Sequence, residues 1–228
     1  DYTMNNKISF WLEKYLQPVG AKLAANKPLN SIRDGIALSM PLVIVGSMAL
    51  LIANGFSIDP FKNWLMTTGI FDWLVKIINA SFGLMGLVAA FGIAYRYAES
   101  HGTDALSAGI LSLASFFLVT PDLITSGSTP QTGISYTYLG ASGLFAAILI
   151  ALISTAIFNW FVKRNIQIKM PDGVPPAVSN SFAALIPGAV ILIFWGLVYA
   201  GFKMTSFENI HQVLQVILGK PLGAFGGS

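Results

Sequence analysis

The sequence predicts an all-α membrane protein with about five transmembrane helices and amphipathic interfacial helices beside them. Of its 228 residues, 54% are hydrophobic and only 10% are charged. An ordinary soluble domain carries about 25% charged residues, so lipid is the solvent this composition suits. Mean hydropathy is +0.68. Five predominantly apolar stretches occur, near 34–53, 72–97, 104–120, 140–162 and 182–202. Most reach the roughly 20 residues needed to cross a hydrocarbon core about 30 Å thick. Helices are expected because backbone groups inside lipid must be satisfied within the segment.

Cysteine is absent, which excludes a disulfide framework, a thiolate metal site and a cysteine nucleophile. The net charge is +3, but the basic residues form no contiguous run with interleaved aromatics, so no nucleic-acid partner is expected. Their distribution reads as topology instead. Lys7, Lys14, Lys22, Lys27, Arg33, Arg96, Lys163, Arg164 and Lys169 fall on one side of the predicted spans, and Lys62, Lys76, Lys203 and Lys220 on the other. The positive-inside rule therefore sets the amino terminus in the cytoplasm. The first apolar run comes late and lacks a small-residue cleavage site, so no secretory signal peptide is expected.

Residues 1–28 form an amphipathic cytoplasmic segment in which Ile8, Trp11, Leu12, Tyr15, Val19 and Leu23 make one helical stripe. The stripe lies on the lipid surface or packs on the protein itself, and Pro18 bends or ends the helix. The five-helix transmembrane region spans 29–203. Pro41 kinks the first span, Asp59-Pro60 forms a turn in the loop that follows, and Trp64 and Trp73 anchor that loop at the interface. Asn79, Ser81, Gly83 and Gly86 in the second span, and Ser107, Gly109, Ser112 and Ser115 in the third, read as packing faces. The third span is short enough to be partly re-entrant, and residues 121–139 form a loop or a short hairpin. Gly143 and Ala147 in the fourth span are a small-xxx-small pair for close approach of another helix or another protomer. Pro187-Gly188 bends the fifth span.

Between the last two spans lies a stiff elbow. Pro171, Asp172 and Gly173 make a tight turn, and Val174-Pro175-Pro176 is extended. Ser179, Asn180 and Ser181 then cap a helix beginning near Phe182. Beyond Lys203, residues 204–228 set Phe207, Ile210, Val213, Leu214, Ile217 and Leu218 against Glu208, Asn209, His211, Gln212 and Gln215, an amphipathic linker. His101 reads as a solvated loop residue. No phosphate-binding loop, zinc-protease helix or hydrolase elbow appears, and no two acidic residues share a span. No catalytic residue, metal ligand or cofactor is assigned.

The run Met170-Pro-Asp-Gly-Val-Pro-Pro-Ala-Val-Ser-Asn-Ser-Phe-Ala-Ala-Leu-Ile-Pro-Gly188 resembles the membrane component, enzyme IIC, of the phosphotransferase system in its lactose/cellobiose/diacetylchitobiose branch. Leu29 to Ser47 and Phe207 to His211 are similar too. The resemblance implies a multi-pass permease of the bacterial plasma membrane. It would move a β-linked disaccharide, cellobiose or diacetylchitobiose, and work with IIB and IIA phosphotransferase proteins. It implies further that the chain is the amino-terminal, homodimer-forming half. The sugar-binding histidine and glutamate would lie in a second half reached through the linker, so neither His101 nor His211 is assigned to sugar. In such a protein the elbow reaches toward the sugar-binding half of the partner protomer. The alternative is a self-sufficient five-span scaffold without transport activity.

Overall fold

The computed structural model describes residues 2–207 and 209–226, and side chains over 7–207 and 209–219. Glu208 and the Gly227-Ser228 end, both within the linker reading, lie outside the described residues, as does the Lys220 side chain. Thirteen described α-helices and one two-stranded hairpin make up the chain.

The amino-terminal helix runs as α1 (Tyr2–Trp11), a π turn over Leu12–Leu16, and α2 (Gln17–Ala24). It carries through Pro18 rather than ending there. The missing proline N–H falls where the i→i+5 register, seen in Gln17 N–H to the Leu12 carbonyl, has already shifted the ladder. Side chains 7–27 are all exposed, so the packed alternative is excluded within this chain. Asn26 caps the next helix, α3 (Lys27–Ala37), its Oδ1 accepting from Leu29 N–H at 3.0 Å.

The first predicted span is α3 plus α4 (Met40–Ala53), bent by 42° across Leu38-Ser39. Pro41 cannot donate to the Ala37 carbonyl, so the helix restarts with proline in its first turn. Ser39 tightens the break by donating Oγ–H to the Ile36 carbonyl at 2.6 Å. Asp59-Pro60 does not form a turn: it opens α5 (Asp59–Thr68), where a proline costs no hydrogen bond. Trp64 and Trp73 are exposed. Gly69, at φ 78°, ends α5 and leads into α6 (Ile70–Ala80).

The second span, Ile70–Ser100, is interrupted at Ser81 and the short 3₁₀ turn Phe82–Leu84 before α7 (Met85–Ser100). Ser81 Oγ–H takes the Ile77 carbonyl at 2.5 Å. The notch receives the later turn around Gly140, since a Cβ on Gly86 would stand 2.5 Å from the Gly140 carbonyl oxygen. The third span, α8 (Ala105–Val119), has only 15 residues. Its serine face packs as expected: Ser112 Oγ–H donates across to the Ala90 carbonyl at 2.6 Å, and Gly109 sits against the Phe91 ring.

Residues 121–139 hold the hairpin, β1 (Leu123–Ile124) antiparallel to β2 (Gln131–Thr132), and then α9 (Tyr136–Leu139). After α10 (Leu144–Lys163) come the elbow, α11 (Pro176–Ala183), α12 (Leu185–Lys203) and α13 (Ile210–Gly226). The main core joins Ala89, Ala90, Ile93 and Ala94 of α7, Phe116 of α8, Ile150 and Phe158 of α10, and Ile191 and Trp195 of α12. Trp195 is buried and donates Nε1–H to Ser154 Oγ at 2.8 Å, tying α12 to α10. Of the five apolar segments, Ile70–Ser100, Ala141–Lys163 and Leu185–Lys203 are long and apolar enough to cross a membrane, and the bent α3–α4 pair makes a fourth.

Candidate functional site

The elbow begins where α10 ends. Asn165 takes φ 54°, and the N–H groups of Asn165 and Ile166 return to the Val162 and Phe161 carbonyls. Asparagine tolerates this left-handed position and so stops the helix. Arg164 lies 4.4 Å over the Trp160 ring, holding its cation at the end of the span.

The turn forms as the residues dictate. Val174 N–H reaches the Pro171 carbonyl at 3.4 Å, and Gly173 supplies φ 95° at the third turn position. Pro175 is extended at φ −56°, ψ 140°. The helix then begins at Pro176, six residues before the expected start near Phe182. A proline at the first helical position lacks only an N–H that would have had no partner, and its φ is already helical. Ser179, Asn180 and Ser181 therefore lie inside α11 and cap nothing; Ser181 Oγ–H bonds back to the Ala177 carbonyl at 2.8 Å. Near Pro187-Gly188 the helix is broken at Ala184, between α11 and α12.

Pro171, Asp172, Gly173, Pro175 and Pro176 are all exposed on one projecting segment. Beneath it a cleft of about 380 Å³ opens between the elbow, the start of α8 and α11, with Thr103, Asp104, Lys169, Ser179 and Asn180 among its walls. Thr103 Oγ1–H donates at 2.5 Å to Oδ1 of Asn159, which fixes the end of α10 to the α7–α8 turn. Among the described residues, no group of three or more His, Asp or Glu side chains is arranged to hold a metal ion. The cleft offers hydrogen-bonding groups, the Asp104 carboxylate and the Lys169 ammonium.

Gly143 and Ala147 are buried within this chain. A Cβ on Gly143 would run into the Tyr138 carbonyl and stand 3.4 Å from the Phe116 ring of α8, so its smallness serves both the turn after α9 and a neighbouring helix. A tight helix seam lies where Gly35 of α3 meets Ile93 and Gly92 of α7.

The sequence reading missed a buried polar anchor at the opposite end. His211, assigned to the polar face of the linker, is 1% exposed, and Asn209 is buried beside it in sequence. Thr120 Oγ1–H donates to the Phe116 carbonyl at 2.6 Å, so at 2.9 Å it accepts from His211 Nε2–H. Phe116 meets the imidazole edge-on at 5.6 Å, and Tyr138 stands 4.9 Å away. Nδ1 is left bare and buried, and desolvation pushes the His211 pKa down to about 4. The available signal was position: His211 borders the apolar stripe of Ile210 and Leu214, where a neutral imidazole can go inside.

Comparison with known proteins places this architecture. The family model described as phosphotransferase system, EIIC, matches residues 33–227. The lichenan permease IIC component of Bacillus subtilis (strain 168) is 45% identical over 234 residues, 98% of this chain and 51% of that protein. The cellobiose-specific EIIC component of Geobacillus stearothermophilus is 44% identical, over 95% of this chain and 50% of that one. The crystal structure of the transporter ChbC, the IIC component from the N,N'-diacetylchitobiose-specific phosphotransferase system, superposes with a TM-score of 0.86. It is 38% identical and is matched over 96% of this chain and 52% of that one. The chain thus spans about half the length of the relatives it matches. With a family match over most of its length and the same fold as a solved IIC component, this chain belongs to the phosphotransferase system EIIC family.

Proposed function

We propose that residues 29–203 are the dimer-forming, amino-terminal half of a sugar permease. Its substrate would be a β-linked disaccharide, cellobiose or diacetylchitobiose, translocated with phosphorylation by IIB and IIA proteins. The observation that carries this reading is the likeness of nearly the whole chain to half of a diacetylchitobiose transporter component. In this reading the elbow is a cytoplasmic arm, preorganised by its turn and prolines, that reaches the sugar-binding half of the partner protomer. Residues 204–228 lead toward the sugar-binding half of their own protomer.

Purified chain in mild detergent is expected to run as a homodimer by light scattering coupled to size exclusion. Calorimetry with cellobiose or diacetylchitobiose is expected to show no saturable heat. Micromolar binding would mean that the sugar site has been misassigned, and a monomer would remove the dimerisation role.

Orientation has its own test. Asp172→Cys places the only thiol of the chain on the exposed turn while leaving Gly173 at its left-handed φ. Impermeant maleimide is expected to label it in inverted membrane vesicles and not in intact cells. Labelling only from outside would reverse the topology.

A further inference from the structure

The amino-terminal helix is a long amphipathic rod that nothing else among the described residues covers. From Lys7 to Lys27 every side chain is exposed, and Trp11, Tyr15 and Val19 are each more than half exposed. Trp11, Tyr15, Val19 and Leu23 recur every four residues, a spacing that drifts around an α-helix of 3.6 residues per turn. The π turn at Leu12–Leu16 lies within this run and holds more residues per turn, which keeps the stripe on one side. The winding of the helix is thus matched to a flat apolar contact.

The charge pattern identifies the contact. Lys7, Lys14 and Lys22 are spaced by seven and eight residues, about 1.9 and about 2.2 turns, so they fall on one side of the helix. Glu13 is the only acidic residue from Lys7 to Lys27. Lys14 Nζ sits 5.6 Å from both the Phe10 and Tyr15 rings, at the border between apolar and polar faces, as a snorkelling lysine does. Only Ala25 and Asn26 separate this helix from α3, the first part of the bent span, so the rod starts at the edge of the bilayer.

We propose that the helix formed by Tyr2–Trp11, Leu12–Leu16 and Gln17–Ala24 docks on the membrane surface through anionic phospholipid headgroups. Trp11, Tyr15, Val19 and Leu23 enter the interface, and Lys7, Lys14 and Lys22 pair with phosphates. Each lysine beside an anionic leaflet favours the docked state by about fivefold. This proposal does not depend on the sugar or on the dimer.

Because the chain has no cysteine, single spin labels at Ile8→Cys, Leu12→Cys, Val19→Cys, Ser9→Cys, Glu13→Cys and Gly20→Cys can be read one at a time. The chain is reconstituted in nanodiscs of phosphatidylglycerol with phosphatidylcholine, or of phosphatidylcholine alone. In the anionic discs, Ile8, Leu12 and Val19 labels should favour oxygen, and Ser9, Glu13 and Gly20 labels a water-soluble nickel chelate. That contrast should weaken in phosphatidylcholine alone, and also on combined substitution of Lys7, Lys14 and Lys22 by Gln. A flat profile in anionic discs would overturn the proposal, as would a contrast indifferent to both lipid charge and the lysines. Spin–spin broadening at Ile8, Leu12 and Val19 that vanishes on dilution with unlabelled chain would assign the face to a second copy instead.

Discussion

Gly35→Val is expected to cost about 3 kcal/mol and to abolish a monodisperse profile on heating. A Cβ at position 35 would stand 2.5 Å from the Ile93 Cα and 2.6 Å from its Cγ1. Reciprocally, a Cβ on Gly92 would stand 2.7 Å from the Gly35 carbonyl oxygen. Both obstacles include backbone, so no rotamer change relieves them and α3 must move off α7. Ser31, Gly35 and Ser39 recur every four residues and are all buried, making one small-residue face. Gly201→Val is the control, because a Cβ there has nothing within 4 Å. Size-exclusion profiles after a temperature ramp check the pair. Equal midpoints for the two variants would refute the claim that this seam limits stability.

Protonation of His211 is expected to loosen the linker helix as pH falls. The imidazole titrates near 6.5 when free and near 4 when docked, so the free form binds the proton first. The docking contribution is complete above about pH 6.5 and is lost as pH falls toward 4, about 2 kcal/mol of it by pH 5. Among the described residues, Thr120, Phe116 and Tyr138 face the ring, and Asp122 and Lys203 line a neighbouring cleft with Asn209. His211→Phe should keep most of the packing, since Thr120 still donates to the Phe116 carbonyl, and should lose the pH dependence. His211→Ala leaves a hole between two aromatic rings and should raise amide exchange in α13 about 30-fold, the equivalent of about 2 kcal/mol. Hydrogen exchange at pH 7 and pH 5 decides it. Protection of α13 that ignores pH in the parent chain would exclude the anchor.

Much of the architecture was legible because bilayer chemistry acts on runs of residues. Low charge and five apolar stretches gave the helical membrane class, and proline placed the breaks near Pro41 and Pro187. Pro171, Asp172 and Gly173 announced their turn because each constrains the backbone locally, and Gly173 does take a left-handed φ. The serine positions of the third span identified a packing face, and Ser112 bonds across to α7.

Misreadings arose where one residue type has two uses. Proline can end an extended segment or open a helix; Asp59-Pro60 and Pro175-Pro176 do the second, which displaced the caps expected from Ser179, Asn180 and Ser181. A small residue in a span marks close approach but not by what. Gly143 meets its own chain's Tyr138 carbonyl and the Phe116 ring of α8, and a further tight seam, α3 on α7, falls on Gly35 and Gly92. His211 is polar by type, yet Thr120, from a position 91 residues away in the chain, takes its one buried N–H.

Composition, periodicity and proline positions therefore specify the membrane class, the helical segments and the elbow's turn, since each arises from forces within a few residues. Folding alone selected which glycines form the tight seam and which histidine goes inside. Those outcomes depend on atoms brought together from distant segments, where a single carbonyl or hydroxyl turns a permitted residue into a required one.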